Sequence, residues 1–191
     1  MHDDSTMPWP EIARWRKDER ERLIATRLAI PADERTSLSA KIAHALDAIV
    51  GDAAGKSISL YWPFRGEPDL RPWMSDLVAR GATPALPVVV KKAHPLLFRA
   101  YAPGDPLEKG VWNIPIPPSG AREILPDVVI APLVGVDQKN YRLGYGGGFF
   151  DRTLAAHPGK PLVIGVGYAM QRIETIFPQH HDIPMDRIVI V

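Results

Sequence analysis

Four glycines within five residues, Gly144, Gly146, Gly147 and Gly148, lie between Arg142 and Arg152 in the segment YRLGYGGGFFDRTLA, residues 141–155. Glycine amides carry no side chain to hold a ligand at a distance, and in a turn they point into a concavity that suits anions. A helix beginning just after such a turn adds the positive end of its dipole. Arg142 and Arg152 supply cationic donors for phosphate oxygens. Asp151 supplies the kind of carboxylate that holds magnesium against phosphates. The chemistry that fits is phosphate binding. The segment lacks the Lys-Ser or Lys-Thr ending of a P-loop, and its glycine order is not the dinucleotide fingerprint. A tight turn whose glycines serve backbone geometry alone is the plainer alternative.

Elements of ordinary type must position this turn. The apolar run VVIAPLVGVD, 128–137, reads as a strand buried on both faces, as in parallel or mixed sheets flanked by helices. The turn follows it, and a helix follows the turn from Phe149 to about Ala156. Further strands are expected at 57–64, 83–90, 96–102, 162–168 and 187–191. Helices are expected from Pro10 to Leu28, from Asp33 to Val50 with Leu38, Ile42, Leu46 and Ile49 on one face, and over 70–80 before Gly81. The Pro- and Gly-rich stretch 103–126 reads as a long irregular loop. Residues 1–8 read as disordered and 9–191 as one domain. Helices alternating with buried strands indicate an α/β three-layer sandwich with a parallel or mixed central sheet.

Composition narrows the function. There are 23 Lys plus Arg against 22 Asp plus Glu, without the basic excess usual in a nucleic-acid binder. There is no cysteine, which excludes a disulfide scaffold, a thiolate zinc site and a cysteine nucleophile. No apolar run approaches the roughly 18–20 residues that cross a bilayer, and the acidic, polar start MHDDSTMPWPE is unlike a secretory signal. A cytoplasmic protein is expected, with no nucleic-acid or membrane partner. Eight of the basic residues fall between Arg14 and Lys41, where a solvated helix face is the plain reading.

The run R-L-G-Y-G-G-G-F-F-D-R, 142–152, resembles the hallmark of the 5-formyltetrahydrofolate cyclo-ligases, with Phe149-Phe150 in place of two tyrosines. Asn140 stands where the family has glycine, and asparagine tolerates the same left-handed geometry. SISLYWPFRGEPDL (57–70), VWNIPIP (111–117) and HHDIPMDRIVIV (180–191) are similar to other family segments, in the same order. The resemblance runs from about residue 12 to 190.

It implies a fold like that of phosphosugar isomerases and CoA transferases, and an ATP-dependent closure of 5-formyltetrahydrofolate to 5,10-methenyltetrahydrofolate. ATP would be held by Arg16, Lys17 and Arg20 of the first helix and by Arg142, Leu143, Gly144, Tyr145, Gly146, Gly147, Gly148, Phe149 and Phe150. Lys17 is an alternative to Arg16 for the family's lysine position. The folate would be held by Phe64, the acidic pair Glu67 and Asp69, Trp112 as a flat stacking surface, and Tyr145 to Phe149. Arg142 and Tyr145 would be catalytic, with magnesium on Asp151 and Asp182. His180 and His181 offer a zinc alternative that adjacent side-chain directions disfavour. The resemblance implies small-molecule partners only, a reduced folate and ATP, for a monomer or weak homodimer. The competing readings are a non-catalytic binding protein on the same fold and a phosphosugar isomerase- or CoA-transferase-like enzyme.

Overall fold

The computed structural model describes residues 7–191; most of the stretch expected to be disordered, 1–8, lies outside them. Helix α1, Trp9–Leu28, opens on proline at its first turn and carries few apolar residues; its buried positions are Ile12, Arg16, Leu23 and Arg27. Helix α2, Ala32–Val50, is amphipathic: Ile42, Leu46 and Val50 recur at helical spacing and are buried. Burying side chains of this size contributes about 1.5–3 kcal/mol each. Strand β1 is Ser57–Ser59, helix α3 Arg71–Ala79, strand β2 Thr83–Val88 and strand β3 Leu97–Ala100. Short pairs follow: β4, Glu108–Lys109, with β5, Pro115–Ile116; then β6, Val128–Pro132; then β7, Gly135–Val136, with β8, Arg142–Leu143. Helix α4 is Phe149–Ala156, strand β9 Leu162–Gly167 and strand β10 Arg187–Ile190.

The main sheet has the order β10-β9-β6-β1-β2-β3, parallel throughout except for β3, which runs antiparallel to β2. Strand β6 is central, and its pleat divides the core. Val128 and Ile130 join the cluster under α2 and α3, whereas Val129 and Ala131 pack with Val163 and Met185 beneath Phe150 and Leu154 of α4. The three-layer α/β sandwich expected from the sequence is therefore present. From β1 the chain steps to β2 on one side, and from β6 to β9 on the other. The switch point lies between β1 and β6, where open α/β sheets place their ligands at the carboxyl ends of the strands.

Two expected strands are shorter than the sequence implied. The apolar run 57–64 stays extended only to Ser59, with Leu60 still bonded to Ala85 O. Pro63 has no amide to continue the ladder, and Arg65 (φ 48°) and Gly66 (φ 77°) turn the chain over the sheet. The run 128–137 breaks after Pro132 and turns back as the β7–β8 hairpin. Asp137 closes that hairpin by accepting from the amides of Lys139 (2.9 Å) and Tyr141 (3.0 Å), with Asn140 in the left-handed region at φ 66°. The loop 103–126 is mostly irregular, as expected, apart from the β4–β5 hairpin and a 3-10 turn at Val111–Asn113. No helix among the described residues is long and apolar enough to cross a membrane.

Candidate active site

A cavity of about 1240 Å³ opens at the carboxyl ends of the strands, with α1, the 61–67 segment, the 111–116 hairpin, the glycine-rich turn and the 180–183 segment around it. The β7–β8 hairpin delivers Arg142 and Leu143 to its floor, and the glycine turn crosses to α4. Gly146 (φ 95°) and Gly148 (φ 64°, capping α4) hold conformations that L side chains rarely adopt, which is why this turn needs glycine.

One wall is cationic. Arg20 donates from Nε to Gly144 O at 2.5 Å, and Arg152 from Nη1 to Gly147 O at 2.5 Å. Arg142 lays its guanidinium 4.6 Å from the centre of the Phe150 ring. Among the described residues its guanidinium makes one hydrogen bond, Nη1 to Pro132 O, long at 3.4 Å, and its Nε is buried without a partner. Burial pulls the pKa of Arg142 down, and burial with the charges of Arg16 and Arg142 does the same to Arg20. Cations crowded together with donors to spare suit a multiply charged anion, whose oxygens take charge-assisted hydrogen bonds.

The other wall is aromatic with one acid. Phe64 and Trp112 lie stacked, ring centres 5.9 Å apart and planes 11° apart, and Tyr145 meets both edge-on. Trp112 is 59% exposed and, with Asn113, sits in the left-handed region, a placement that costs a non-glycine residue about 1–3 kcal/mol and clusters at functional sites. Glu67 is buried beneath the aromatics. Its Oε2 accepts from Phe64 N at 2.9 Å and its Oε1 from the Tyr145 hydroxyl at 2.8 Å. Burial pushes its carboxyl up to about 7, against the opposing charge of Arg27 and those two hydrogen bonds. Burial, then the Glu67 charge, raises the Tyr145 phenol.

The structure brings most of the sequence-derived candidates to this one cavity. Arg16, Arg20, Phe64, Glu67, Trp112, all of 142–151, and Asp182 line it. Two candidates lie outside it. Lys17 points to solvent, its side chain 70% exposed and paired with Glu21 at 3.6 Å; adjacent helix positions lie about 100° apart, so Arg16 and Lys17 cannot share a face. Asp69 turns away from the cavity to pair with Arg71 at 2.7 Å and to accept from the Arg71 amide ahead of α3. It therefore forms no acidic pair with Glu67.

The carboxylates Asp151 and Asp182 both reach the cavity but are differently engaged. Asp151 accepts from the Ile183 amide at 3.0 Å. Asp182 takes Arg16 Nη2 at 2.5 Å and the Gln179 amide at 2.7 Å, in a pair whose side chains are only 9% and 7% exposed. Arg16 also donates to Ile176 O and Phe177 O, so its fork is largely occupied by the protein. Among the described residues, no three His, Asp or Glu side chains converge as a metal cluster. Sequence reasoning missed Arg27, fully buried and bonded to Tyr145. The signal was its place in the series Ile12, Arg16, Leu23, Arg27, one stripe of α1.

The fold and sequence have known counterparts. A 5-formyltetrahydrofolate cyclo-ligase of Haemophilus influenzae is 33% identical over 153 residues, 77% of this chain and 81% of the relative. One from Escherichia coli K12 is 34% identical over 143 residues, 70% of this chain and 76% of its own. The solved 5,10-methenyltetrahydrofolate synthetase of Aquifex aeolicus superposes with a TM-score of 0.78 at 28% identity, covering 92% of this chain and 89% of that one. The synthetase of Mycoplasma pneumoniae shares the fold at a TM-score of 0.75 and 23% identity, covering 91% and 96%. The sequence model of the 5-formyltetrahydrofolate cyclo-ligase family matches residues 12–191, and with the glycine-rich turn, the cations and the aromatic wall in one cavity, this chain belongs to that family.

Proposed function

We propose that the protein converts 5-formyltetrahydrofolate and ATP to 5,10-methenyltetrahydrofolate, ADP and phosphate. The observation that carries the reading is Arg142: a guanidinium with a buried, unpartnered Nε, in the cavity that also holds the Phe64–Trp112 stack and Glu67. An anion-seeking group and an aromatic surface for a flat ring line one space. Family membership and curated relatives at 33–34% identity support the same activity.

A formamide oxygen is a poor leaving group, so the reaction needs that oxygen phosphorylated. The formyl oxygen takes the γ-phosphoryl group as its bond to ADP breaks. N10 then closes on the resulting N5-iminium carbon, and phosphate leaves with the former formyl oxygen. No enzyme nucleophile is required; positioning and charge stabilisation of the travelling phosphoryl group suffice. Arg142, Arg20 and the amides of 144–148 would hold the phosphates, and Phe64 with Trp112 would hold the pterin. Magnesium fits Asp151, an oxygen donor beside the phosphate cradle; it would neutralise phosphate charge there, while Asp182 orients Arg16. We read 9–191 as one domain acting in the cytoplasm on these small molecules, as a monomer or weak dimer. The test is the appearance of methenyltetrahydrofolate absorbance on mixing protein, 5-formyltetrahydrofolate, ATP and magnesium. Absorbance that rises equally without ATP, or not at all, overturns the proposal.

A further inference from the structure

Arg27 is a cation enclosed in the last turn of α1, and among the described residues no carboxylate pairs with it. Its Nε donates to Arg65 O at 2.9 Å, its Nη1 to Leu133 O at 2.9 Å, and its Nη2 to the Tyr145 hydroxyl at 2.7 Å. An arginine has donors only. The Tyr145 oxygen must therefore accept from Arg27, which leaves its single proton to be donated to Glu67 Oε1 at 2.8 Å. The chain Arg27–Tyr145–Glu67 thus runs in one direction. Glu67 Oε2 is fixed independently by the Phe64 amide. With one donor on each oxygen among the described residues, each carboxylate oxygen keeps a lone pair to spare, and Glu67 lines the cavity.

Ring closure, as read above, makes a proton. When N10 forms its bond to the former formyl carbon and the C–O bond breaks toward phosphate, the N10–H proton must go to a base. A carboxylate can serve when its pKa lies near the working pH. Resting on the cyclo-ligase reading, we infer that Arg27 is a positioning residue that, through the Tyr145 hydroxyl, holds Glu67 with a lone pair open to the cavity to take the N10 proton. The Tyr145 hydroxyl is then an orienting group, and its proton is not offered to substrate. Glu67 returns the accepted proton to solvent when product leaves, so the charges balance over a turnover.

The charged and titratable groups around Glu67 are Arg27 from α1, Tyr61 after β1, Arg65 and Asp69 of its own turn, Arg142 and Tyr145 from the hairpin and glycine turn, and Tyr168 after β9. Of these, Arg27 is the strongest influence holding the carboxyl down, ahead of Tyr145 and the Phe64 amide. A base must be ionised to act, so turnover rises with pH through the Glu67 pKa, placed at about 7. Removing Arg27 or the Tyr145 hydroxyl raises that pKa, and the acid limb moves alkaline.

The experiment is the pH dependence of kcat from 5.5 to 9, read as ADP released, for the parent, Arg27→Gln and Tyr145→Phe. The expected result is an acid limb near pH 7 in the parent, displaced upward by about one unit or more in each variant. In Tyr145→Phe, which leaves α1 fastened, the KM for ATP should stay within threefold. Arg27→Gln removes a buried fork and is checked by thermal melt; if it does not fold, Tyr145→Phe, which deletes a single hydroxyl, decides alone. An acid limb that stays in place in folded Tyr145→Phe, or is missing from an active parent, overturns the inference. A parent that releases no ADP with 5-formyltetrahydrofolate overturns the cyclo-ligase reading instead.

Discussion

Arg142→Met separates what the arginine does for folding from what it does for an anion. Its structural attachments are few: a 3.4 Å bond to Pro132 O and a face laid on Phe150. Losing the cation–π contact costs about 0.5–2 kcal/mol. Removing a buried donor that has no partner returns about 1–3 kcal/mol. The two nearly cancel, and 1 kcal/mol moves the melting point of a domain this size by about 2–4 °C, so the variant should melt within about 4 °C of the parent. The functional effect is not balanced in this way. Deleting a preorganised donor to developing charge costs about 2.7–4 kcal/mol of barrier, which at about 1.36 kcal/mol per decade is a loss of roughly 100- to 1000-fold in kcat/KM. ATP supplies a second readout. At a concentration near 100 times its Kd, ATP stabilises the parent by about 2.7 kcal/mol, or about 5–11 °C by the same conversion, and most of that shift should vanish in the variant. The assays are methenyltetrahydrofolate absorbance and a melt with and without ATP and magnesium. A variant that folds normally, keeps its ATP shift and turns over within fivefold of the parent refutes the assignment of Arg142 to the phosphates.

Three further outcomes follow from the placement of side chains. Asp69→Asn and Lys17→Ala, at residues outside the cavity, should each leave kcat/KM within twofold in the same absorbance assay, although the sequence placed both in the site. Trp112→Ala removes the partner stacked on Phe64; an aromatic pair is worth about 0.5–1.5 kcal/mol, so the KM for folate should rise roughly 2- to 10-fold while that for ATP holds. Leu46→Ala, at a fully buried position of α2, should lower the unfolding free energy by about 2–5 kcal/mol in a urea titration.

The layers were legible because burial was written in periodicity: Ile42, Leu46 and Val50 repeat at helical spacing, and β6 is apolar on every residue because α2 and α3 cover one face and α4 the other. The break at Pro132 was not legible, since Leu133, Val134 and Val136 remain buried after the strand ends, and apolarity reports burial and not direction. The glycine turn was recognisable from composition alone. The resemblance set Asp69 beside Glu67 as an acidic pair, yet between them the chain turns from the cavity toward α3, where Arg71 takes the second acid. Arg27 was hidden by its type. An arginine near a helix end normally reads as a solvated cation, and only its place in the buried stripe of α1 marks it otherwise.

That stripe also explains how the site is held together. Helix α1 buries little apolar surface, chiefly Ile12 and Leu23. It is fastened instead by arginines: Arg16 to Ile176, Phe177 and Asp182, Arg20 to Gly144, and Arg27 to Arg65, Leu133 and Tyr145. Hydrogen bonds to charged groups contribute about 1.5–3 kcal/mol each, enough in sum to rival the apolar contacts. The helix therefore docks on the cavity walls themselves, and substituting Arg16, Arg20 or Arg27 loosens the helix and alters the site together. Arg142 comes from the β7–β8 hairpin and is nearly unfastened, so it is the cation at which stability and ligand binding can be measured apart.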